Sequence, residues 1–344
     1  MPLFSSTGAT YSLAGQILKA HKQAAGDATW NVRKEACAAL PNIFERLNHT
    51  RLRDDLVPTY LALCHDTAHQ VRVSAHEIAG RVIYFFHSSP DGVPEPLLSF
   101  YMGTQAQQSE PVGFTDDDHR MFEPLSTSFD CSFDTEGNSP GWTTKNGEHE
   151  SAAGQAYNLP AVALTLGSNS WHRLQELYVR LARHSSEPVR ISIAAAQHEI
   201  VRIIGKQATG KWFLDAFDAF VADAPNVQEA CLRHFSELVE TSDTAIVSSC
   251  LISLAQHWHS IRYWHVRLKV AEQLREVSRK LLSAGLVEPI IDWISMACDD
   301  RIAVIRGTLP AIVSPASVLE CRLSTPADPR QCTGHRHLAT VAAA

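Results

Sequence analysis

The chain has 344 residues, of which 45% are hydrophobic and 19% charged, and its formal net charge is −7. This composition excludes fibrous, mostly disordered and small disulfide-stapled proteins, and it allows one to three domains. Eight cysteines at irregular spacings without a CxxC pair favour reduced thiols in an intracellular protein. The acidic balance and the short apolar runs predict no nucleic-acid and no membrane partner, so we expect a cytoplasmic and/or nuclear protein.

A Val-Arg pair opens an apolar segment at regular intervals along the chain. In chain order the copies are Val32-Arg33, Val71-Arg72, Val189-Arg190, the degenerate Val227-Gln228, Val266-Arg267 and Ile305-Arg306. Their leading residues are 39, 118, 38, 39 and 39 positions apart. One fixed period therefore runs through the sequence, with a single gap close to three periods long.

Each copy has the spacing of an amphipathic helix. From Val32 onward, apolar residues fall at i, i+4, i+8, i+11 and i+12, which places them on one helix face. An aspartate four or five residues ahead of the leading residue is typical of a turn or N-cap, and it occurs as Asp27, Asp66, Asp223 and Asp300. Another amphipathic segment precedes each aspartate, for example 211–222. The repeating unit is therefore predicted to be a helical hairpin.

Two helices in about 39 residues are the pattern of HEAT repeats, which stack into an α-solenoid. We predict an all-α fold of about six hairpins, because a single hairpin cannot bury its apolar faces alone. The arginine of each Val-Arg pair is expected near the turn of the next hairpin, where a ladder of Asp and Arg residues between neighbours is possible. The motif residues are therefore assigned a structural role.

Residues 101–157 break the period. They are rich in Gly, Ser, Thr, Asn and Pro, and they carry ten acidic residues against two basic ones. We predict a disordered acidic insert here, between an N-terminal HEAT block at 11–100 and a C-terminal HEAT block at 160–313, followed by an irregular tail at 314–344. A regulatory role and a tolerated loop both remain open for the insert.

Histidine and cysteine clusters do not lead to a predicted catalytic or metal site. Two groups have ligand-like residue types: Cys64, His65, His69 and His76, and in the tail Cys321, Cys332, His335 and His337. The first group straddles a predicted turn, and the second has no spacing of a compact zinc finger. Phosphate-binding and nucleophile-elbow motifs are missing. We predict no cofactor and no catalysis, with an enzyme that uses the His-rich turns as one rival.

Aromatic residues at the turns are the candidate partner anchors. Trp30 and Trp264 each lie two residues before the Val of a Val-Arg pair. Turn residues of successive repeats align into a ridge, and a tryptophan at its edge suits an interface, although the ring could instead fill the gap to the neighbouring turn. The predicted ridge, of mixed acidic and polar character, comprises Trp30, Asn31, Asp66, Gln70, Trp264, His265, Asp299, Asp300 and Arg301. Its composition favours a basic partner.

The segments DATWNVRKEACAALPNI and YWHVRLKVAEQL resemble repeat cores of HEAT-repeat phosphatase subunits, the family of the protein phosphatase 2A scaffold subunit and protein phosphatase 4 regulatory subunit 1. Two helical blocks around an acidic segment favour the second. The resemblance covers about 11–105 and 160–313, with motif matches at Asp27, Trp30, Val32, Arg33, Asp66, Val71, Arg72, Trp264, Val266 and Arg267. It implies a non-catalytic scaffold that binds a Ser/Thr phosphatase catalytic subunit along its turns and directs it to substrate proteins. The alternative is an unrelated HEAT-repeat adaptor in transport or complex assembly.

Overall fold

The structure, a computed structural model, describes residues 7–47, 55–103, 145–283 and 288–312, and the regular elements in these ranges are all helical. They comprise sixteen α-helices and two short 3-10 helices. The predicted all-α helical-repeat fold is thereby confirmed. The predicted tail at 314–344 lies outside the described residues.

The first of two compact units consists of Met1–His76 and Ser89–Ser151. Its described helices are α1 (Thr7–Ala25), α2 (Trp30–Phe44), α3 (Val57–Cys64), the first half of α4 (His69–Tyr84) and α5 (Glu95–Met102). Helix α1 packs against α2 and α3, and α3 also packs against α2 and α5. The α-hairpins α1–α2 and α3–α4 are therefore stacked. Helix α5 packs on α3 in the position of a first helix of the following hairpin.

The second unit consists of Glu77–Ser88 and Ala152–Ala344. Beyond the end of α4 it contains α6 (Lys145–Leu166, from Ala152), a 3-10 helix (Ser168–Arg173), α7 (Gln175–Ala182), α8 (Glu187–Ile204), α9 (Lys211–Val221), α10 (Pro225–Leu232), α11 (Phe235–Thr241), α12 (Thr244–His257), a second 3-10 helix (Trp258–Ser260), α13 (Trp264–Glu272), α14 (Leu274–Ser283), α15 (Glu288–Cys298) and α16 (Ala303–Ile312). The first helices of the hairpins stack in the order α7, α9, α12, α15, and the second helices in the order α8, α10, α13, α16. This is the two-layer packing of a helical repeat array.

Helix boundaries follow the local chemistry of proline and glycine. Pro58, Pro188 and Pro225 occupy the first turns of α3, α8 and α10, where the missing N–H would have no intrahelical partner in any case. Helix α5 ends at Gly103, whose φ of 75° is readily adopted only by a residue without a Cβ. These signals limit each helix to the length that one hairpin needs.

The leading apolar residue of each second helix lies in the core. Val71, Val189, Val227, Val266 and Ile305 are each at most 3% exposed. Fully burying such a side chain contributes about 1.5–3 kcal/mol, so the motif is a main source of stability. Val32 differs, because it is 40% exposed and no hairpin precedes its own within the described residues. Stacking on a preceding hairpin, rather than the hairpin itself, therefore buries this position.

Helix α6 changes the boundary predicted for the acidic insert. It starts at Lys145, inside the predicted 101–157, and it buries Ala152, Ala156 and Leu159 at helical spacing. Position 150 lies one period of 39 residues before Val189, so α6 is in phase with the other second helices. One of the periods in the long gap therefore ends on the helix pair α6 and α8. Residues 104–144, the remainder of the predicted insert, lie outside the described residues.

The close approach of α4 and α6 depends on Gly80. A Cβ at this position would lie 2.5 Å from Oδ1 of the buried Asn158, which is closer than carbon and oxygen can pack. The Asn158 side chain is held in place because its Nδ2 donates to the carbonyl of Gly154 at 2.8 Å. Gly80 therefore permits helix contact that a larger residue would prevent.

The second helices of two adjacent hairpins are interrupted, and Gln273 joins the interruptions. The first break separates α10 from α11, and the second, at Gln273, separates α13 from α14. Gln273 Nε2 donates to the carbonyl of Leu232 at 3.0 Å, and its Oε1 accepts from the backbone N–H of Ser236 at 2.8 Å. One amide side chain thus satisfies backbone groups that the first break leaves without helical partners.

Candidate functional site

The arginine of each Val-Arg pair binds the carbonyl groups of its own turn. In every described copy an Nη1 donor reaches the residue six positions earlier: Arg33 to Asp27 at 2.9 Å, Arg72 to Asp66 at 2.8 Å, Arg190 to His184 at 2.8 Å, Arg306 to Asp300 at 2.6 Å, and Arg267 to Ile261. These carbonyls follow the C-terminus of the first helix, where unpaired C=O groups attract a cation. The motif arginine therefore fixes the turn of its hairpin.

The same arginines link successive turns. Arg33 forms a two-pronged pair with Asp66, with Nε–Oδ2 and Nη2–Oδ1 distances of 2.6 and 2.7 Å. Equivalent pairs join Arg190 to Asp223 at 2.6 and 2.9 Å, and Arg267 to Asp300 at 2.7 and 3.2 Å. Each pair spans 33 residues. We call these three ion pairs, within the described residues, the Arg-Asp ladder.

The aspartates of the ladder also fold the turns that carry them. Oδ1 of Asp66 accepts from the N–H of Ala68 at 2.8 Å, and Oδ1 of Asp300 accepts from the N–H of Ile302 at 2.9 Å. Such bonds occupy N–H groups ahead of the next helix. The sequence interpretation of these aspartates as turn residues agrees with this geometry.

The ladder is electrostatically well satisfied. Burial raises the pKa of the Asp66 carboxyl, but hydrogen bonds from Arg33 and the Ala68 N–H lower it more, so the pKa lies below its usual value. The same balance lowers the pKa of Asp223 and of Asp300. The bond to Asp66 in turn raises the pKa of Arg33. The ladder carboxylates are therefore ionised at neutral pH.

One step of the second unit has no Arg-Asp pair. At the positions corresponding to the arginine and the aspartate, the chain has Gln228 and Ile261. Gln228 is buried and its Nε2 donates to the carbonyl of Val221 at 2.9 Å, so it still binds the turn of its own hairpin. Ile261 is fully buried. This junction rests on apolar packing, on the hydrogen bonds of Gln273, and on the bonds that Ser253 donates to Asp218 at 2.7 Å and Lys280 to the carbonyl of Ser242 at 3.1 Å.

In the first unit the predicted ridge residues divide into exposed and paired ones. Trp30 is 38% exposed at the start of α2, and Asn31 beside it is exposed. Gln70 is half-buried. The side chain of Asp66 is only 8% exposed and is occupied by Arg33. Its assignment to a partner-binding ridge is therefore corrected to a ladder residue.

The second unit shows the same division. Trp264 is half-buried and stacks on the exposed ring of His265, with 3.8 Å between ring centroids. Asp299 and Arg301 are exposed in the following turn. Asp300 is 2% exposed and also accepts from Trp258 Nε1 at 2.9 Å, so its predicted place on an exposed ridge is wrong. A periodic aspartate carries the same sequence signal whether it faces solvent or the neighbouring hairpin.

The histidines near the second turn pack against an aromatic ring. His76 stacks on Phe100 with 5.2 Å between centroids, and His65 meets the same ring edge-on at 5.4 Å. Burial, with Arg72 and His65 nearby, lowers the pKa of His76 to about 4. His76 is therefore a neutral packing residue at pH 7, and His65 packs on the same ring. The tail residues Cys321, Cys332, His335 and His337 lie outside the described residues.

A different cluster of ligand-type side chains is present in the second unit. Within the described part of the chain, His198, His234 and Glu237 place one donor atom each within 4.8 Å of the others. Sequence reasoning missed this group because His198 and His234 are 36 positions apart and belong to different hairpins. A spacing close to one repeat period was the signal that could have indicated their proximity.

Comparison with known proteins agrees with the repeat pattern. Residues 155–257, from α6 to the end of α12, match the protein phosphatase 4 regulatory subunit 1 middle domain. This confirms the predicted resemblance. Serine/threonine-protein phosphatase 4 regulatory subunit 1 from rat is 30% identical over 179 residues, and the human and mouse proteins of that name are 34% identical over 167 residues.

These matches are partial on both sides. They cover 50% of this chain and 18% of the rat protein, and 46% of this chain and 17% of the human and mouse proteins. The chain thus spans less than a fifth of the length of these relatives. In the part of the chain that the structure describes, no helix combines the length and apolar character needed to span a bilayer.

Proposed function

We propose that the chain is a non-catalytic regulatory subunit that binds a Ser/Thr protein phosphatase catalytic subunit of the protein phosphatase 4 type and directs it to substrate proteins. The observation that carries the proposal is the match of 155–257 to the protein phosphatase 4 regulatory subunit 1 middle domain. Catalysis and the metals of the phosphatase reaction belong to the partner in this proposal. Proteins, rather than nucleic acids or membranes, are the proposed partners, in the cytoplasm and/or the nucleus.

The ladder supports this function by fixing the spacing of successive turns. Each ion pair holds one turn against the next, and the side chains beside the pairs are then presented in a regular row. In the second unit this row includes Trp264, His265, Asp299 and Arg301. An aromatic ring with a polar N–H, surrounded by charged side chains, is suited to anchoring a protein partner.

Binding to purified catalytic subunits tests the proposal directly. The full chain is mixed with the protein phosphatase 4 catalytic subunit, and separately with that of protein phosphatase 2A, and each mixture is analysed by size-exclusion chromatography with light scattering. We expect a one-to-one complex with the first. A chain that forms no complex with either would favour the alternative, an unrelated HEAT-repeat adaptor in transport or complex assembly.

Variants then locate the surface. Replacing both tryptophans, in Trp30→Ala/Trp264→Ala, is expected to weaken binding by about 30-fold, since interface anchors contribute about 2 kcal/mol or more. Tyr157→Ala is the matched control, because this aromatic is 74% exposed on α6 and is not at a turn. Circular dichroism checks the fold. A double variant that loses helicity, or that binds as tightly as Tyr157→Ala, contradicts an anchoring role.

An enzymatic role is tested on the same samples. The chain alone is incubated with a phosphopeptide, and the catalytic subunit is assayed with and without it. We expect no turnover by the chain alone and an altered rate or substrate preference of the complex. Phosphate release by the chain alone, or by the chain mixed with a catalytically inactive partner, would support the rival hypothesis that the chain is an enzyme.

A further inference from the structure

The cluster of His198, His234 and Glu237 lies outside the Arg-Asp ladder, on the second helices of adjacent hairpins. The Nδ1 of His234 is 2.7 Å from Oε1 of Glu237, and the Nε2 of His198 is 3.8 Å from Oε2 of the same carboxylate. The two imidazole rings stack with 4.4 Å between centroids. Two nitrogen donors and one oxygen donor thus converge at a junction between repeats.

Local structure positions each of these donors. His198 lies in the middle of α8, is mostly buried, and also hydrogen bonds to the backbone of Ala195. His234 lies in the break between α10 and α11, and Glu237 follows it by three residues in the first turn of α11. A backbone bond on a histidine ring is the type of support that orients metal-ligating histidines.

We propose that His198, His234 and Glu237 form a binding site for a divalent transition metal of the zinc type, which links two successive hairpins. Imidazole nitrogen combined with carboxylate oxygen suits Zn²⁺ and disfavours Mg²⁺ and Ca²⁺, which prefer oxygen ligands alone. Metal–ligand bonds of about 2.0–2.2 Å place tetrahedral donors about 3.3–3.5 Å apart. The nitrogen–oxygen distances of 2.7 and 3.8 Å lie on either side of this value, and each differs from it by less than 1 Å.

One side chain must reorient for the metal to bind. Parallel stacked rings direct their lone pairs side by side, so the His234 ring has to turn out of the stack toward a shared ion. The His234 side chain is 40% exposed and the Glu237 side chain is 57% exposed, so both have room to adjust. The ion then takes the place of the proton in the His234–Glu237 hydrogen bond, this proton moves through solvent to Nε2 of the same ring, and water completes the coordination. The site requires no phosphatase partner and is independent of the proposed function.

Zinc binding to the full chain tests the inference. Equilibrium dialysis with metal analysis measures bound Zn²⁺ per chain for the unaltered protein and for His234→Ala/Glu237→Ala. The two replaced side chains are largely exposed, so the variant is expected to fold like the unaltered protein. The double variant is expected to bind one ion fewer per chain, or to bind that ion more than about tenfold more weakly. Cysteines and the His-rich tail are identical in both proteins, so they cancel in the difference.

A matched control and a second readout exclude non-specific effects. His259→Ala/Glu240→Ala removes one exposed histidine and one exposed glutamate elsewhere in the same unit and should bind zinc like the unaltered chain. Zn²⁺ should also raise the unfolding temperature of the unaltered chain and of this control, but not of the cluster variant, because the ion joins α8 to α11. Equal stoichiometry, affinity and thermal shift in the cluster variant and the control would overturn the proposal.

Discussion

Removing one charge from the most buried ladder pair is expected to destabilise the second unit strongly. In the Arg267–Asp300 pair the arginine and aspartate side chains are only 11% and 1% exposed. Arg267→Gln leaves the Asp300 carboxylate buried with two remaining donors, Trp258 Nε1 and the N–H of Ile302, both at 2.9 Å. Breaking a buried pair costs about 3–5 kcal/mol, and these donors place the expected loss near 3 kcal/mol.

The chain itself suggests that glutamine is a suitable replacement. Gln228 occupies the corresponding position in the preceding hairpin and donates to the carbonyl of Val221 there. Arg267→Gln should likewise keep a bond to its own turn, so the measured loss reports mainly the missing ion pair. Adding Asp300→Asn removes the stranded charge while keeping a side-chain acceptor for the turn. The double variant should therefore lose less free energy of unfolding than the two single variants combined, by about 1.5 kcal/mol or more.

Urea unfolding followed by circular dichroism measures these losses, and hydrogen exchange of α13, α15 and α16 localises them, because repeat arrays can lose cooperativity. Lys211→Gln is the control, since Lys211 and Asp215 form an exposed pair with the lysine side chain 84% exposed. Its removal should change the free energy by less than about 0.5 kcal/mol. The argument fails if Arg267→Gln costs no more than this control, or if the losses of the single variants simply add.

Three further predictions concern pH, helix contact and the insert. The ladder carboxylates have lower pKa values in the folded protein than when unfolded, so their contribution to stability is present above about pH 4 and is lost as the pH falls through the folded values. The urea midpoint of unfolding should therefore be lower at pH 3 than at pH 6, and a midpoint that does not fall at pH 3 would contradict this prediction. Gly80→Ala should lower the free energy of unfolding by about 1–3 kcal/mol, because the new Cβ would clash with Asn158 Oδ1, although alanine has the better helix propensity. Gly15→Ala, in open space on α1, should be neutral or stabilising, and thermal melts of both variants measure the difference. Deleting 101–157 removes the buried Ala152 and Ala156 and should lower the unfolding temperature, while deleting 104–144 keeps the described helices and should leave it nearly unchanged; equal melting temperatures of the two deletions would contradict the boundary at α6.

The repeating part of the fold could be predicted because each hairpin solves the same physical problem. The period of the leading residues located the second helices, and the Asp-to-Arg spacing indicated the ladder before any contact was known. Helix α6 was missed because Gly154, Asn158 and Pro160 interrupt its apolar spacing, although Asn158 is buried against Gly80 of α4 and donates to the carbonyl of Gly154. Tertiary context overrides local composition at this position.

The site was less accessible to sequence reasoning. The spacing of Asp300 is the same as that of Asp27 and Asp66, and only its packing beside Trp258 and Arg267 determines that it is buried. The pairing of His198 with His234 depends on how far α8 and α10 are rotated relative to each other, and a residue period does not specify that angle. Side chains that meet between hairpins are therefore the least predictable part of the molecule.

At Gln228 and Ile261 the second unit has a joint without a buried Arg-Asp pair, where the contact of His257 with Asp218 is longer, at 3.9 Å, and more exposed. In dilute buffer near neutral pH we expect this joint to separate most easily, because Arg-Asp pairs stabilise the joints on either side of it. Acid protonates the ladder carboxylates and therefore weakens the neighbouring joints more than this one. The order in which hairpins detach from the stack should therefore invert between neutral and acidic solution, so that a boundary in the middle of the array outlasts the ones around it.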